Sequence, residues 1–179
     1  IVQRVMGKNV SVNLGKADGI LSENEQVKGE EFEPTERIKV YILEVKDTPK
    51  GPRILLSRTH PGLVKRLFES EVAEVKDGTV EIKSIAREAG SRTKIAVWSN
   101  DPDVDAVGAC VGMNGARVNA VVEELRGEKI DIINWDENPA ILIENALSPA
   151  KVISVMADPD EKTASVIVPD YQLSLAIGK

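Results

Sequence analysis

Residues 104–125 read Val-Asp-Ala-Val-Gly-Ala-Cys-Val-Gly-Met-Asn-Gly-Ala-Arg-Val-Asn-Ala-Val-Val-Glu-Glu-Leu, and the reading of this stretch decides the fold. Val104, Val107 and Val111 fall at helical spacing before an interruption, Gly112-Met113-Asn114-Gly115. Beyond it Val118, Val121, Val122 and Leu125 stand at i, i+3, i+4 and i+7, which makes an amphipathic helix, and Gly127 stops it. Two helix ends therefore meet at one tight turn. Its glycines carry no Cβ, so another backbone can come close. The helix that follows opens with free amides and a partial positive end, a setting that favours phosphate. The same tetrapeptide also suits an ordinary helical hairpin with glycine caps, so its surroundings have to decide.

Upstream, Val80 and Ile82 alternate with Glu81 and Lys83, Ala89-Gly90-Ser91 turns, and Ile95 and Val97 alternate with Lys94 and Trp98 until Asn100-Asp101-Pro102. Before these strands Thr59 can cap a helix with Pro61 in its first turn and an apolar stripe of Leu63, Val64, Leu67 and Phe68, ending near Val72. Downstream, Ile130 and Ile132 mark a strand. Residues 59–137 thus run α-β-β-α-α-β. Residues 138–179 begin that order again: Asn138 caps, Pro139 takes the first helical position, Val152–Ala157 and Ala164–Val168 are strands, and Pro169-Asp170 opens a helix that reaches Gly178-Lys179. The period of about 65–70 residues indicates a duplicated domain, its second copy lacking the last helix and strand.

A Gly-x-x-Gly turn inside that order reads as the loop of a KH module, which clamps about four nucleotides of single-stranded RNA. The expected binding loop is Gly112, Met113, Asn114 and Gly115, with Arg117 directly after it. Val107, Cys110 and Val111, with the strand Thr93–Val97, are candidates for the apolar groove that receives bases. Arg87, Arg92 and Lys94 would form a phosphate track. In the partial copy Gly178 and Lys179 stand where the second loop opens.

Residues 1–58 have another rhythm. Ile1-Val2-Gln3 already reads as a strand, Val10, Val12 and Leu14 alternate until Gly15, Gly19–Leu21 is short, Ile38, Val40 and Ile42 alternate to about Val45, and Arg53–Leu56 returns after Lys50-Gly51-Pro52. About five short strands with glycine turns suggest a small OB-type barrel, and a generic barrel without a ligand fits as well. The expected architecture is multidomain: a barrel over 1–58, the linking helix and first KH module over 59–137, and an incomplete second one over 138–179.

The net charge of −6 argues against nucleic acid until its distribution is examined. Residues 18–36 hold seven acids against Lys28, whereas residues 57–98 hold eight bases against six acids, so the middle of the chain can meet a phosphate backbone that the first loop repels. Phe32 could stack a base, but its acidic surroundings favour packing on the barrel wall. One cysteine, Cys110, forms no internal disulfide, and with one histidine, His60, a zinc site has too few ligands. A reducing, cytoplasmic setting is expected, with no cofactor and no metal. Asp101, Asp103 and Asp105 lack the glycine and distant glutamate of a calcium loop. Gly108, Gly112 and Gly115 are misspaced for a dinucleotide fingerprint, and Gly178-Lys179 lacks the earlier glycine of a P-loop, since Leu173 stands there. No apolar run reaches membrane-spanning length. His60 before Pro61 suits a cap or a surface place better than a general base, so a binding module and not an enzyme is expected.

The stretches Ser57-Arg58-Thr59-His60-Pro61, Ile85-Ala86-Arg87-Glu88, Arg92-Thr93-Lys94-Ile95-Ala96-Val97, Gly108-Ala109-Cys110-Val111-Gly112, Gly127-Glu128-Lys129-Ile130-Asp131-Ile132 and Gln172-Leu173-Ser174-Leu175-Ala176-Ile177-Gly178-Lys179 resemble the bacterial NusA family, in that order and over nearly the whole chain. The resemblance implies an "S-one" barrel of the OB class and two type II KH domains in tandem. It further implies binding of nascent single-stranded RNA, and partnership with RNA polymerase and other transcription elongation factors in pausing, termination and antitermination. Set against the family, the sequence is expected to fall outside its N-terminal polymerase-contacting domain and to begin within a clipped first barrel strand. It also stops at the opening of the second loop and carries Asn114 where relatives often have a basic residue. The rival expectation is the RNA-tethering end of a ribonuclease, although in such enzymes the KH domain precedes the barrel.

Overall fold

A computed structural model describes residues 1–178 of the chain; Lys179 lies outside the described residues. Alternating apolar residues build five strands in the first unit, β1 (Val2–Met6), β2 (Asn9–Asn13), β3 (Asp18–Leu21), β4 (Tyr41–Thr48) and β5 (Gly51–Ser57), in the order β1-β2-β3-β5-β4. All neighbours are antiparallel except β3 and β5, which run parallel. Among the described residues β4 makes no ladder with β1, so the unit is an open five-stranded sheet and not the closed barrel expected. Val2, Val10, Val12, Leu21, Phe32 and Leu56 form its core. Phe32 is buried there, as its acidic surroundings suggested.

Ile38 and Val40 alternate like strand residues yet precede β4, which starts at Tyr41. Their segment is bound to the second unit instead. The Lys39 amide donates to Glu124 Oε1 at 2.8 Å, and the Lys39 carbonyl accepts from Arg58 Nη1 at 2.7 Å. A backbone whose donor and acceptor are both engaged elsewhere cannot also complete a ladder.

The second unit comprises α1 (Pro61–Glu71), α2 (Ala73–Lys76), β6 (Val80–Glu88), β7 (Arg92–Ser99), α3 (Ala106–Val111), α4 (Ala116–Glu124) and β8 (Lys129–Asn134). The cap of α1 is His60, whose Nδ1 accepts from the Gly62 amide at 2.9 Å, and not Thr59. Thr59 is drawn away because its hydroxyl donates to Glu25 Oε2. The sheet runs β6-β7-β8, antiparallel then parallel. Leu63, Val64, Phe68, Ile95, Val97, Cys110, Val121 and Leu125 pack α1, α3 and α4 onto one face of it, and each such large side chain contributes about 1.5–3 kcal/mol by leaving water.

The last unit contains α5 (Pro139–Leu147), β9 (Ser154–Asp158), β10 (Thr163–Ile167) and α6 (Leu173–Ile177). Asn138 caps α5 by accepting from the Ala140 amide at 3.0 Å. β9 and β10 form an antiparallel two-stranded sheet, and α5 packs against both β8 and β9. Lys94 Nζ on β7 donates to the carbonyl of Ala146 in α5, a polar tie between the second and third units.

Arginines join the first and second units. Arg58 is 1% exposed; Nε and Nη2 form a fork on Glu30 at 2.7 and 2.9 Å, while Nη1 and Nη2 reach Glu124 and its carbonyl at the end of α4. Burial alone would lower the Arg58 pKa, but hydrogen bonding to Glu30 and the attraction of Glu30 and Glu124 outweigh it and raise it. Just past α4, Arg126 pairs with Glu36 at 2.6 Å, donates to the Glu31 carbonyl and lies 4.9 Å from the centre of the Phe32 ring. Glu25 and Glu36 of the acidic first loop thus bond Thr59 and Arg126 of the second unit, and Glu30 is linked to Glu124 through Arg58.

Candidate nucleic-acid interface

The loop between α3 and α4 is shaped by three left-handed backbone positions: Gly112 (φ 76°), Asn114 (φ 53°) and Gly115 (φ 75°). Asparagine is among the few residues that tolerate this region. At Gly112 a Cβ would stand 2.8 Å from Arg117 Cγ and 3.0 Å from the Arg117 amide nitrogen, so the glycine is required by space as well as by φ. The loop holds itself through the Gly115 amide, which donates to the Gly112 carbonyl at 3.1 Å. Met113 stands 85% exposed and Asn114 is exposed beside it. No side chain caps the start of α4, which leaves that helix end to an external acceptor.

The expected basic track is largely engaged within the chain. The Arg87 side chain is 1% exposed; it grips Glu128, itself 1% exposed, through Nε and Nη2 and donates to the His60 carbonyl, so it is an internal brace and not a phosphate contact. Glu128 also accepts from the Gly90 amide and the Thr93 hydroxyl, at 2.7 and 2.6 Å. Arg92 makes a forked pair with Asp131 at 2.6 and 3.0 Å and is half exposed. Arg117 ties α4 back to Glu74 and to the Ala109 carbonyl, both at 2.8 Å. Lys94 points to α5. Beside the loop the four expected cations are thus each held by a carboxylate or a carbonyl, and no row of free cations lines it among the described residues.

The groove also differs from expectation. Cys110 is fully buried in the core, where desolvation pushes its thiol up to about 11, so it faces no ligand. Thr93, Ile95, Ala96 and Val97 lie on the central strand and are buried. The accessible strand is the edge strand β8: a shallow recess of about 160 Å³ is lined by Val107 from α3 and by Ile132, Ile133 and Asn134 from β8, with Asn145 and Ser148 beyond. Val111 is half-buried beside the loop. Ile132 and Asn134 were findable from the connection alone, because a β7-α3-α4-β8 crossover places β8 parallel and outside β7. In the third unit Gly178 (φ 86°) ends α6 as Gly112 ends α3, its amide donating to the Ser174 and Leu175 carbonyls. Its neighbour Lys179 lies outside the described residues.

Comparison with known proteins agrees with this geometry. Residues 58–135 match the model of the NusA-like first KH domain, and residues 139–179 match that of the NusA-like second KH domain. The chain is 60% identical over 179 residues to the transcription termination/antitermination protein NusA of Bacillus subtilis, covering 100% of this chain and 48% of that protein. It is 53% identical over 164 residues to the protein of that name from Mycobacterium bovis, covering 91% and 47%. With that from Thermus thermophilus it shares 49% over 179 residues, covering 99% and 46%. The chain spans about half the length of these relatives. With two family domains in succession and similarity that runs from end to end, the chain belongs to the NusA family.

Proposed function

We propose that the chain binds single-stranded RNA at the Gly112–Gly115 loop, as the RNA-holding body of a transcription termination and antitermination factor in the cytoplasm, without catalysis of its own. The observation that carries this is the loop itself: two glycines and an asparagine at positive φ, between a half-buried apolar groove and an uncapped helix start. RNA phosphates would lie over Gly112, Met113, Asn114 and Gly115, and bases would enter between Val107, Val111 and β8. Arg92 and Arg117, both partly exposed, would add long-range attraction while held by their carboxylates. Gly178 and Lys179 would open the corresponding loop of the second KH domain. The strand order of the first unit, with one parallel β3–β5 pair, supports reading residues 1–58 as an OB-type unit of the S-one kind. Residues 59–137 and 138–179 are then two type II KH domains. RNA polymerase and other elongation factors would be the partners in the setting of a full-length family member.

The test is titration of a short unstructured RNA at two salt concentrations against the chain and against Met113→Glu and Asn114→Asp. Both residues are exposed, and neither change disturbs a packed contact. Each variant should bind about tenfold more weakly with circular dichroism unchanged. Equal affinity in both variants would remove the loop from the site.

A further inference from the structure

Both tryptophans of the chain lie at one place away from the Gly112–Gly115 loop. Trp98 at the end of β7 and Trp135 just after β8 meet edge to face, 5.8 Å between centres at 87°. Trp98 remains 43% exposed. They line a recess of about 330 Å³, whose polar wall includes Asp101, Asp105 and Asp136, and no lysine or arginine lines it. Asp101 and Asp136 each use one oxygen to accept a backbone amide two residues on, and among the described residues none of the three forms a salt bridge. The carboxylates do not group as metal ligands would.

Aromatic faces beside uncompensated carboxylates attract cations. The chain supplies an internal example on the same sheet: Lys83 Nζ sits 5.2 Å from the centre of the Trp135 ring while pairing with Glu81 at 3.1 Å. The recess offers an incoming cation the same two elements, an indole and carboxylates. RNA suits it poorly, because three negative groups would face the phosphates with nothing to offset them. We propose that this recess receives an arginine side chain from a basic segment of a partner protein, with the guanidinium stacked on Trp98 and paired with the aspartates. Arginine fits better than lysine because its planar fork both stacks and pairs. The recess adjoins the RNA groove through Asn134 and Asn145, which line both, so a bound basic segment would lie next to the RNA strand.

The intact chain can be titrated with the peptide amides Gly-Arg-Gly-Arg-Gly and Gly-Lys-Gly-Lys-Gly while indole emission is followed, since every tryptophan reports on the recess. A saturable change is expected with the arginine peptide and a weaker one with the lysine peptide. Asp105→Asn with Asp136→Asn, which keeps the hydrogen bond to the Asn138 amide, should weaken arginine-peptide binding about tenfold, and Trp98→Leu should do likewise. RNA binding by these variants should match the parent, which shows that they fold and separates this proposal from the loop reading. Three results would overturn the proposal: peptide binding that survives both changes, loss only in a Glu31→Gln, Glu33→Gln control remote from the recess, or displacement of the peptide by a uridine oligomer with the same emission change, which would make RNA the occupant.

Discussion

Replacing Arg58 by Met would remove five donated hydrogen bonds at the joint between the first sheet unit and the KH domain. The consequence depends on what is left behind. Glu124 is 27% exposed and can turn to water, but the Glu30 side chain is only 6% exposed and would remain as a buried carboxylate without a counter-charge. A stranded buried charge of that kind costs about 3–5 kcal/mol. With an m-value of about 2 kcal/mol/M, the urea midpoint should fall by about 2 M. Changing Glu30 to Met in the same chain removes the stranded charge, and the double variant should recover to within about 1–2 kcal/mol of the parent. The measurement is urea unfolding of the parent, the two single variants and the double variant, followed by circular dichroism. A single variant within about 1 kcal/mol of the parent, or a double variant no better than the single, would refute the reasoning that a desolvated charge dominates this joint.

Two other outcomes follow from the loop and the core. Gly112→Ala places a Cβ at a left-handed φ and 3.0 Å from the Arg117 amide; it should cost about 1–3 kcal/mol in thermal or urea unfolding, and weaken RNA binding beyond that of a Gly127→Ala control, where a Cβ meets nothing within 4 Å. Cys110, fully buried with its thiol raised to about 11, should resist iodoacetamide at pH 8 in the folded chain and react fully in denaturant; rapid labelling of the native chain, read by mass spectrometry, would contradict its burial.

The KH order was legible because period-2 and period-3.6 patterns alternate cleanly between residues 59 and 137, with Gly90 and Gly127 at the turns where the backbone needs positive φ. The five strands of the first unit were legible for the same reason. What local pattern could not supply was the partner across space. Ile38 and Val40 carry a strand's alternation, but their apolar side chains serve the core while the backbone between them is taken by Arg58 and Glu124. Arg87 looks like a surface cation until Glu128, 41 positions later, closes over it. The sequence pattern offers Thr93–Val97 for the groove beside Val107, Cys110 and Val111; the sheet order places that apolar run on the central strand, and β8 on the outer side next to α3.

Helix α4 meets the Gly-x-x-Gly loop at one end and the Arg58–Glu30 joint at the other. Nine residues at about 1.5 Å each make a rod of roughly 14 Å. Val121 buries the inner face of this rod in the domain core, so it cannot pivot by itself. The loop and the buried joint are therefore held one short helix apart, so loosening the joint would free the first unit while leaving the loop's own shape intact.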